Sequence, residues 1–138
     1  MDKLSFGAYN KAFEPVVTDF DWLSRDEKEV AKYVNDDLCG FLCTNGFFLD
    51  LLYGVEFAND KKNASKLPKD LPILIISGEY DPVGDMGKGV RKVFNLYQNA
   101  GITDLTMELV PQARHELLNE TDKAKTFKYL AQWLDKRC

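Results

Sequence analysis

Apolar residues recur at helical spacing through the first half of the chain. Val30, Tyr33 and Val34 form one such stripe, which is the pattern of an amphipathic helix. Ser24 and Glu27 stand just before it as a capping box, in which the hydroxyl accepts from a backbone amide and the carboxylate reaches back. The pattern therefore predicts a short helix that begins at Ser24.

A longer apolar stretch follows, and it is rich in aromatic residues. Helical spacing predicts a second helix over residues 46–58, and the polar residues 59–63 are predicted to form a linker. The aromatic stretch 41–57 allows two interpretations, a packed core or the wall of a channel for an acyl chain. The pattern leaves both open and predicts no strand before residue 67.

The pattern changes at residue 67. Residues 73–76 are an unbroken run of Ile and Leu, which favours a strand buried on both faces, as in a parallel sheet. Apolar positions at helical spacing from Met86 to Tyr97 predict a helix after this strand. Gly101 is well placed to end that helix, because glycine adopts the left-handed conformation of a C-terminal cap.

A second strand and a closing helix complete the pattern. Residues 105–109 alternate between apolar and polar, and residues 124–134 show helical spacing, with a cap predicted at Asn119 or Thr121. Strand, helix, strand and helix in this order make a βαβ unit with a closing helix. We therefore predict an α/β fold with two parallel strands and flanking helices, preceded by a helical segment.

Composition narrows the class of protein. The chain has 138 residues, 45% of them apolar, and a net charge of −4, which suits one folded domain and argues against disorder. Lys and Arg are scattered, so we expect no nucleic-acid partner. No apolar run is long enough to span a bilayer, and we expect no leader, since no charged and then apolar segment is found at residue 1. We expect a soluble, cytoplasmic protein without stable membrane insertion.

Three cysteines, Cys39, Cys43 and Cys138, accompany a single histidine that lies far from them in sequence. A zinc site requires more ligands at closer spacing. Cys39 and Cys43 would share a face if their segment were helical. We predict that the three thiols are reduced and partly buried, and that they bind no metal.

The loop after the first strand raises two further possibilities. Glu79, Asp81 and Asp85 could suggest a divalent cation, but no spacing fixes a ligand set, and solvated loop charges are the preferred interpretation. The glycines of residues 84–89 resemble a phosphate-binding loop only superficially, because no Ser or Thr follows Lys88. We predict neither a metal nor a cofactor.

Asp81 and His115 are the candidate catalytic residues. Asp81 follows the first predicted strand and His115 follows the second. Parallel strands end at the same edge of a sheet, where ligands of open α/β sheets bind. A carboxylate beside an imidazole fixes its tautomer and stabilises its protonated form, as a general base requires. The alternative, a turn-forming aspartate and a solvated histidine, stays open at this point.

Several stretches carry a resemblance to a known family. Residues 72–90, with Gly-x-x-Asp-Pro-Val after a strand, and residues 109–120, with A-R-H-E-x-L-N-E, resemble the acid and histidine loops of monoacylglycerol lipase and lysophospholipase enzymes. These are α/β-hydrolases of the serine aminopeptidase S33-like type. Residues 129–134 resemble their last helix, and residues 6–13 and 18–26 resemble their helical cap.

The resemblance implies a division of the chain and roles for two residues. Residues 1–66 would be the cap, and residues 67–138 the C-terminal part of the hydrolase core. Asp81 would be the triad acid and His115 the general base. In this family the order is Ser, Asp, His, and the serine lies in G-x-S-x-G, a motif that this sequence does not contain. The nucleophile is therefore expected upstream, since none of the four serines fits the motif: Ser5, Ser24, Ser65 and Ser77.

The implied activity is hydrolysis of carboxylic esters, such as monoacylglycerols or lysophospholipids, without a cofactor. This chain alone is expected to be inactive. A non-catalytic binding or assembly module derived from a hydrolase is the alternative, and a peptidase of the same fold is a third possibility. Two strands alone leave an unpaired sheet edge, so we expect self-association or pairing with the missing N-terminal half.

Overall fold

The computed structural model of the chain describes residues 7–137. Its first half contains the helices α1 (Glu27–Val34), α2 (Asn45–Asn59) and α3 (Lys61–Ala64), with 3-10 turns at Tyr9–Phe13 and Asp21–Leu23. Its second half contains β1 (Ile73–Gly78), α4 (Lys88–Asn99), β2 (Leu105–Val110) and α5 (Lys123–Asp135), with a 3-10 turn at Leu117–Asn119. The predicted βαβ unit with its closing helix is confirmed.

Strands β1 and β2 form a parallel two-stranded sheet, in register from Ile73 opposite Leu105 to Gly78 opposite Val110. The turn into α4 packs against the side chain of Leu109 on one face of this sheet. On the other face, the indole nitrogen of Trp133 in α5 donates to Thr106 Oγ1 at 3.4 Å. Since alternate residues of a strand face opposite sides, α4 and α5 cover opposite faces of the sheet.

The prediction that β1 is fully buried is wrong. Its residues Ile73–Ser77 are only half-buried, and so is all of β2. Within residues 7–137, each of the two strands has the other as its sole partner, so each exposes one edge. The helices cover the two faces of the sheet but not its strand edges, so the sheet remains partly accessible to solvent.

The predicted capping box at the start of α1 is also wrong. Asp26 is the N-cap, and its side chain accepts from the Lys28 amide at 3.0 Å. The Ser24 hydroxyl instead donates to the Asn119 carbonyl at 2.8 Å and accepts from the Asp26 amide at 2.9 Å. A contact with the second half of the chain therefore replaces the local cap.

Helix α2 is close to its predicted range. Thr44 caps it, with its side chain accepting from the Phe47 amide at 3.1 Å. The predicted linker 59–63 is wrong in part, because Asp60 accepts from the amides of Lys62 and Asn63 and starts α3. The polar run 59–63 therefore contains the start of α3, and Asp60 within this run is its N-cap.

Helix α4 begins later than its pattern predicts, and α5 has a different cap from the predicted one. Asp85, Met86 and Gly87 have φ values of 51°, 50° and 78°, so the chain turns through left-handed residues before α4 begins at Lys88. Gly101, with φ of 89°, follows the end of α4 as predicted. The predicted cap of α5 is wrong, because Asp122 holds the N-cap position.

The aromatic stretch around α2 is not a packed core. Phe48 is the one buried residue of α2. Seven other apolar side chains of this helix are 45–66% exposed: Phe47, Leu49, Leu51, Leu52, Tyr53, Val55 and Phe57. The buried apolar residues lie mainly elsewhere: Trp22, Leu23, Val30, Ala64, Val90, Ile102, Ala113 and Leu117. The alternative, an acyl-chain wall, stays a prediction.

Three further sequence predictions concern the chain as a whole. No helix within residues 7–137 is long and apolar enough to cross a bilayer. Cys39 and Cys43 are free thiols in a non-helical segment, and Cys138 lies outside the described residues. The division into a cap, 1–66, and a core, 67–138, stays a prediction.

Candidate active site

Asp81 lies in the loop that follows β1, and its side chain is 10% exposed. One of its carboxylate oxygens accepts from the Val83 amide at 2.9 Å, and the other lies 3.3 Å from the Ser77 hydroxyl, which donates to it. Burial opposes ionisation of Asp81, but hydrogen bonds from His115 and from the backbone lower its pKa below the usual value. The carboxylate is therefore ionised at neutral pH.

His115 lies in the loop that follows β2, at the same edge of the sheet. Its Nδ1 is 3.1 Å from both Asp81 oxygens. An ionised carboxylate only accepts hydrogen bonds, so Nδ1–H is the donor and Nε2 is free to accept a proton. The bond to Asp81 raises the pKa of His115, although burial opposes the rise. The predicted juxtaposition of the two residues is present, and their catalytic role stays a prediction.

Backbone contacts fix the two loops against each other. The Glu79 amide donates to Val110 O and the Tyr80 amide to Ala113 O, both at 2.9 Å. Gly78 ends β1 directly against the histidine loop, where a Cβ atom would lie 2.1 Å from the Arg114 carbonyl oxygen. Glycine is required here for close approach, and this approach brings the acid and histidine loops within hydrogen-bonding distance.

The first half of the chain also contacts the histidine loop. The His115 amide donates to Trp22 O at 3.4 Å, and the Glu116 amide donates to Leu23 O at 2.7 Å. The Trp22 ring lies 5.2 Å from the imidazole, centre to centre, and Tyr9 packs edge-on against Trp22. Burial, with the nearby Asp81 charge, raises the pKa of Tyr9. The sequence pattern gave no signal for this aromatic wall beside His115.

A buried ionic network lies behind the histidine loop. Glu120, which is 1% exposed, accepts from the Arg114 amide at 2.7 Å and from Arg25 Nε at 2.8 Å. The Arg114 guanidinium donates to the carbonyls of Asp21 and Ser24. Sequence reasoning missed this network, although Arg114 and Glu120 belong to the same A-R-H-E-x-L-N-E stretch as His115.

Comparison with known proteins places this chain in a family. Residues 5–122 match the family model described as serine aminopeptidase, S33, and this is most of the chain. The chain belongs to the serine aminopeptidase S33 family. A comparison with curated protein sequences finds no match.

A solved structure supports the same fold for this S33 family member. The structure of a highly thermostable carboxyl esterase from Bacillus coagulans, in complex with glycerol, matches with a TM-score of 0.86 at 27% identity. The match covers 95% of this chain and 43% of the esterase. The chain therefore has part of an α/β-hydrolase fold and spans less than half the length of that relative.

The serines of this S33 family member have other partners. Ser24 is buried and bonded to Asn119, and the Ser65 hydroxyl donates to Lys62 O. Ser77 contacts Asp81, the acid of the pair. Among residues 7–137, no serine hydroxyl hydrogen-bonds to His115, and Ser5 lies outside them. None of the three described serines is therefore placed as a hydrogen-bonding partner of His115.

The other acidic residues of the acid loop have different surroundings. Glu79 accepts from the Gln112 amide at 3.1 Å and so joins the two loops. Within residues 7–137, no group of three His, Cys, Asp or Glu side chains is placed to hold a metal ion. In residues 84–89 the Gly89 amide donates to Gly84 O at 2.9 Å, so these glycines form a tight turn.

Two surface clefts lie away from the acid–base pair. One cleft of about 560 Å³ lies between α4 and the junction of α2 with α3, and Asn59 and Lys92 line it. Another of about 490 Å³ lies beside β2 and α5, where Glu108 and Tyr129 line it. Neither of these two clefts is lined by Asp81 or His115.

Proposed function

We propose that this chain supplies the acid and the base of a serine hydrolase acting on carboxylic esters. One observation carries the proposal: His115 Nδ1 lies 3.1 Å from both oxygens of a buried Asp81. This contact orients the ring and stabilises its protonated form, while Nε2 stays available to take a proton. The ring is 38% exposed, so a nucleophile from another segment has room to approach.

The reaction follows from this geometry. A serine oxygen attacks the ester carbonyl while His115 Nε2 removes its proton, and the negative Asp81 stabilises the imidazolium. His115 then returns the proton to the leaving alcohol, and an acyl-enzyme remains. In the second half-reaction His115 takes a proton from water, whose oxygen attacks the acyl-enzyme. His115 then returns that proton to the serine oxygen as the acyl–serine bond breaks, which releases the acid and restores the serine.

We further propose that the nucleophile and the oxyanion-hole amides come from a segment outside these 138 residues. Support comes from the bonded state of the described serines, from the absence of G-x-S-x-G in the sequence, and from the match to less than half of a carboxyl esterase. Alone, the chain keeps the acid–base pair but lacks the group that forms the acyl-enzyme.

The proposed substrates are esters with an acyl chain, such as monoacylglycerols or lysophospholipids. The seven exposed apolar side chains of α2 support this choice, because apolar walls with few polar groups suit an acyl chain. A peptidase is the second candidate, favoured by the aminopeptidase description of the family. An aspartate–histidine pair serves both reactions, so the leaving group has to be tested directly.

A chimera tests the proposal. The segment of the Bacillus coagulans esterase that matches this chain is replaced by the chain, and hydrolysis of p-nitrophenyl esters is compared with that of p-nitroanilides. We expect ester hydrolysis, with a loss in kcat of about 10⁴-fold in Asp81→Asn and about 10⁶-fold in His115→Ala. Asp85→Asn is the matched control, because this exposed aspartate lies in the same loop and contacts neither residue.

The outcomes separate the candidates. A folded chimera, checked by circular dichroism, that hydrolyses neither substrate supports the non-catalytic alternative. Hydrolysis that survives Asp81→Asn undiminished removes Asp81 from the triad. Faster cleavage of anilides than of esters favours the peptidase. The unfused chain should not react with a fluorophosphonate probe, and labelling of one of its own serines would refute an external nucleophile.

A further inference from the structure

Glu120 is the largest fully buried side chain among residues 7–137, and it carries a charge. Its Oε1 accepts from the Arg114 amide at 2.7 Å and the Arg25 amide at 3.4 Å. Its Oε2 accepts from Arg25 Nε at 2.8 Å and the Thr121 amide at 3.1 Å. Burial of a carboxylate is costly unless it is paired and hydrogen-bonded, and these donors meet both conditions.

The network immobilises the residue directly before His115. Glu120 holds the backbone amide of Arg114, while the Arg114 guanidinium donates to Ser24 O at 3.2 Å and to the Asp21 carbonyl. The same guanidinium lies 4.2 Å from the centre of the Phe13 ring. Both the backbone and the side chain of Arg114 are therefore anchored, and neither anchor is in the acid loop.

We propose that Glu120, with Arg25 as its counter-ion, is a positioning residue that holds His115 against Asp81 through the backbone amide of Arg114. The proposal rests on the proposed function for the role of His115 as a base. Glu120 bonds to neither His115 nor Asp81, so its effect passes through the loop backbone. A displacement of about 1 Å at a reacting group can cost about 10²-fold in rate.

The chemistry of the site explains why a carboxylate is needed there. All four contacts of Glu120 are with donors. A glutamine has one acceptor oxygen and one donor NH₂ group. In Glu120→Gln the NH₂ group would face either the Arg114 amide or the Arg25 guanidinium, so one part of the anchor is lost without a change in side-chain size.

The test uses His115 as its own reporter, since it is the only histidine in the chain. Its pKa is measured by NMR titration in the 138-residue chain and in the variants Glu120→Gln and Arg25→Gln. Removing the negative Glu120 and removing the positive Arg25 have opposite direct electrostatic effects on an imidazolium. Loosening of the loop weakens the bond to Asp81 in both variants and lowers the pKa in both.

The proposal predicts that both variants lose most of the pKa elevation that Asp81→Asn removes. Asp122→Asn is the matched control, because Asp122 also binds Arg25 at 2.8 Å but does not contact the Arg114 amide. It should leave the His115 titration close to that of the parent chain. The other charge that raises the pKa of His115, on Glu116, is retained in every variant.

Shifts of opposite sign in Glu120→Gln and Arg25→Gln would show that only charge is involved and would overturn the proposal, as would an unchanged titration. If the Glu120→Gln variant does not fold, Arg25→Lys provides the test, because lysine keeps the charge but lacks the planar fork of arginine. A lower pKa of His115 in this variant supports the positioning role, and an unchanged pKa refutes it. In the active chimera, Glu120→Gln should lower kcat about 10²-fold. A chimera without activity refutes the proposed function alone, because the titration needs no turnover.

Discussion

Replacement of Gly78 by alanine is the sharpest perturbation of the contact between the loop of Asp81 and the loop of His115. Gly78 ends β1 and is buried against the histidine loop. An added Cβ would lie 2.1 Å from the Arg114 carbonyl oxygen and 2.3 Å from that of Ala113. These are backbone atoms, so no side-chain rotation relieves the overlap and the loop itself has to move.

The size of the movement follows from ordinary contact distances. A carbon and a carbonyl oxygen approach to about 3.3 Å, so the backbone at Arg114 must retreat by about 1.2 Å. His115 is the next residue, and its 3.1 Å bonds to Asp81 do not survive a shift of that size. We expect Gly78→Ala to lower the free energy of unfolding by about 1–3 kcal/mol and the chimera's kcat by about 10²-fold or more.

Urea unfolding and NMR titration of His115 measure the two effects. The pKa of His115, which the bond to Asp81 raises, should fall toward the ordinary value of an exposed histidine. Gly54→Ala is the control, since a Cβ at this helical glycine meets nothing within 4 Å. Alanine at Gly54 should leave the titration unchanged and add about 0.5–1 kcal/mol of stability.

A Gly78→Ala chain that keeps both its stability and its His115 titration would refute the reasoning. It would mean that the acid and histidine loops are not in direct backbone contact. A chain that loses stability but keeps the titration would also contradict it, because the account requires the overlap at Arg114 to carry His115 away from Asp81.

Two further predictions concern pH and capping. The pKa of Asp81 is lowered and that of His115 is raised, so the stability that the attraction between their charges contributes is lost as pH falls through the lowered value or rises through the raised one. Asp81→Asn should therefore destabilise the chain most between about pH 4 and pH 6.5, and urea unfolding that shows the same loss at every pH would contradict this. Thr44→Ala removes the N-cap of α2, where the Thr44 side chain accepts from the Phe47 amide at 3.1 Å. This substitution should lower the free energy of unfolding by about 1 kcal/mol, and an unchanged value would show that the cap adds no stability.

The parts of the fold with strong local signals could be predicted from the sequence. The Ile and Leu run at 73–76 marked β1, and the alternation at 105–109 marked β2, which has one more residue at its end. Parallel topology then placed Asp81 and His115 at one sheet edge without knowledge of any contact between them. This part of the prediction depends only on the order of the strands and helices along the chain.

The parts that failed depend on contacts between distant residues. Ser24 has the local pattern of a cap, but its hydroxyl bonds to Asn119, 95 residues away. Arg25 likewise meets Glu120 across 95 residues. Met86 continues a helical apolar pattern and yet has φ of 50°, because the chain turns there before α4. A local periodic pattern carries no information about partners that lie far away in sequence, so these contacts could be identified only from the structure.

The tautomer of His115 tests the central claim most directly. Nitrogen-15 NMR on the chain, at a pH above the pKa of His115, distinguishes protonation at Nδ1 from protonation at Nε2. The account predicts that Nδ1 carries the proton and donates it to Asp81, which leaves Nε2 free to act as a base. A neutral ring protonated at Nε2, unchanged in Asp81→Asn, would contradict the account, because Nε2 of such a ring could not take a proton from a serine.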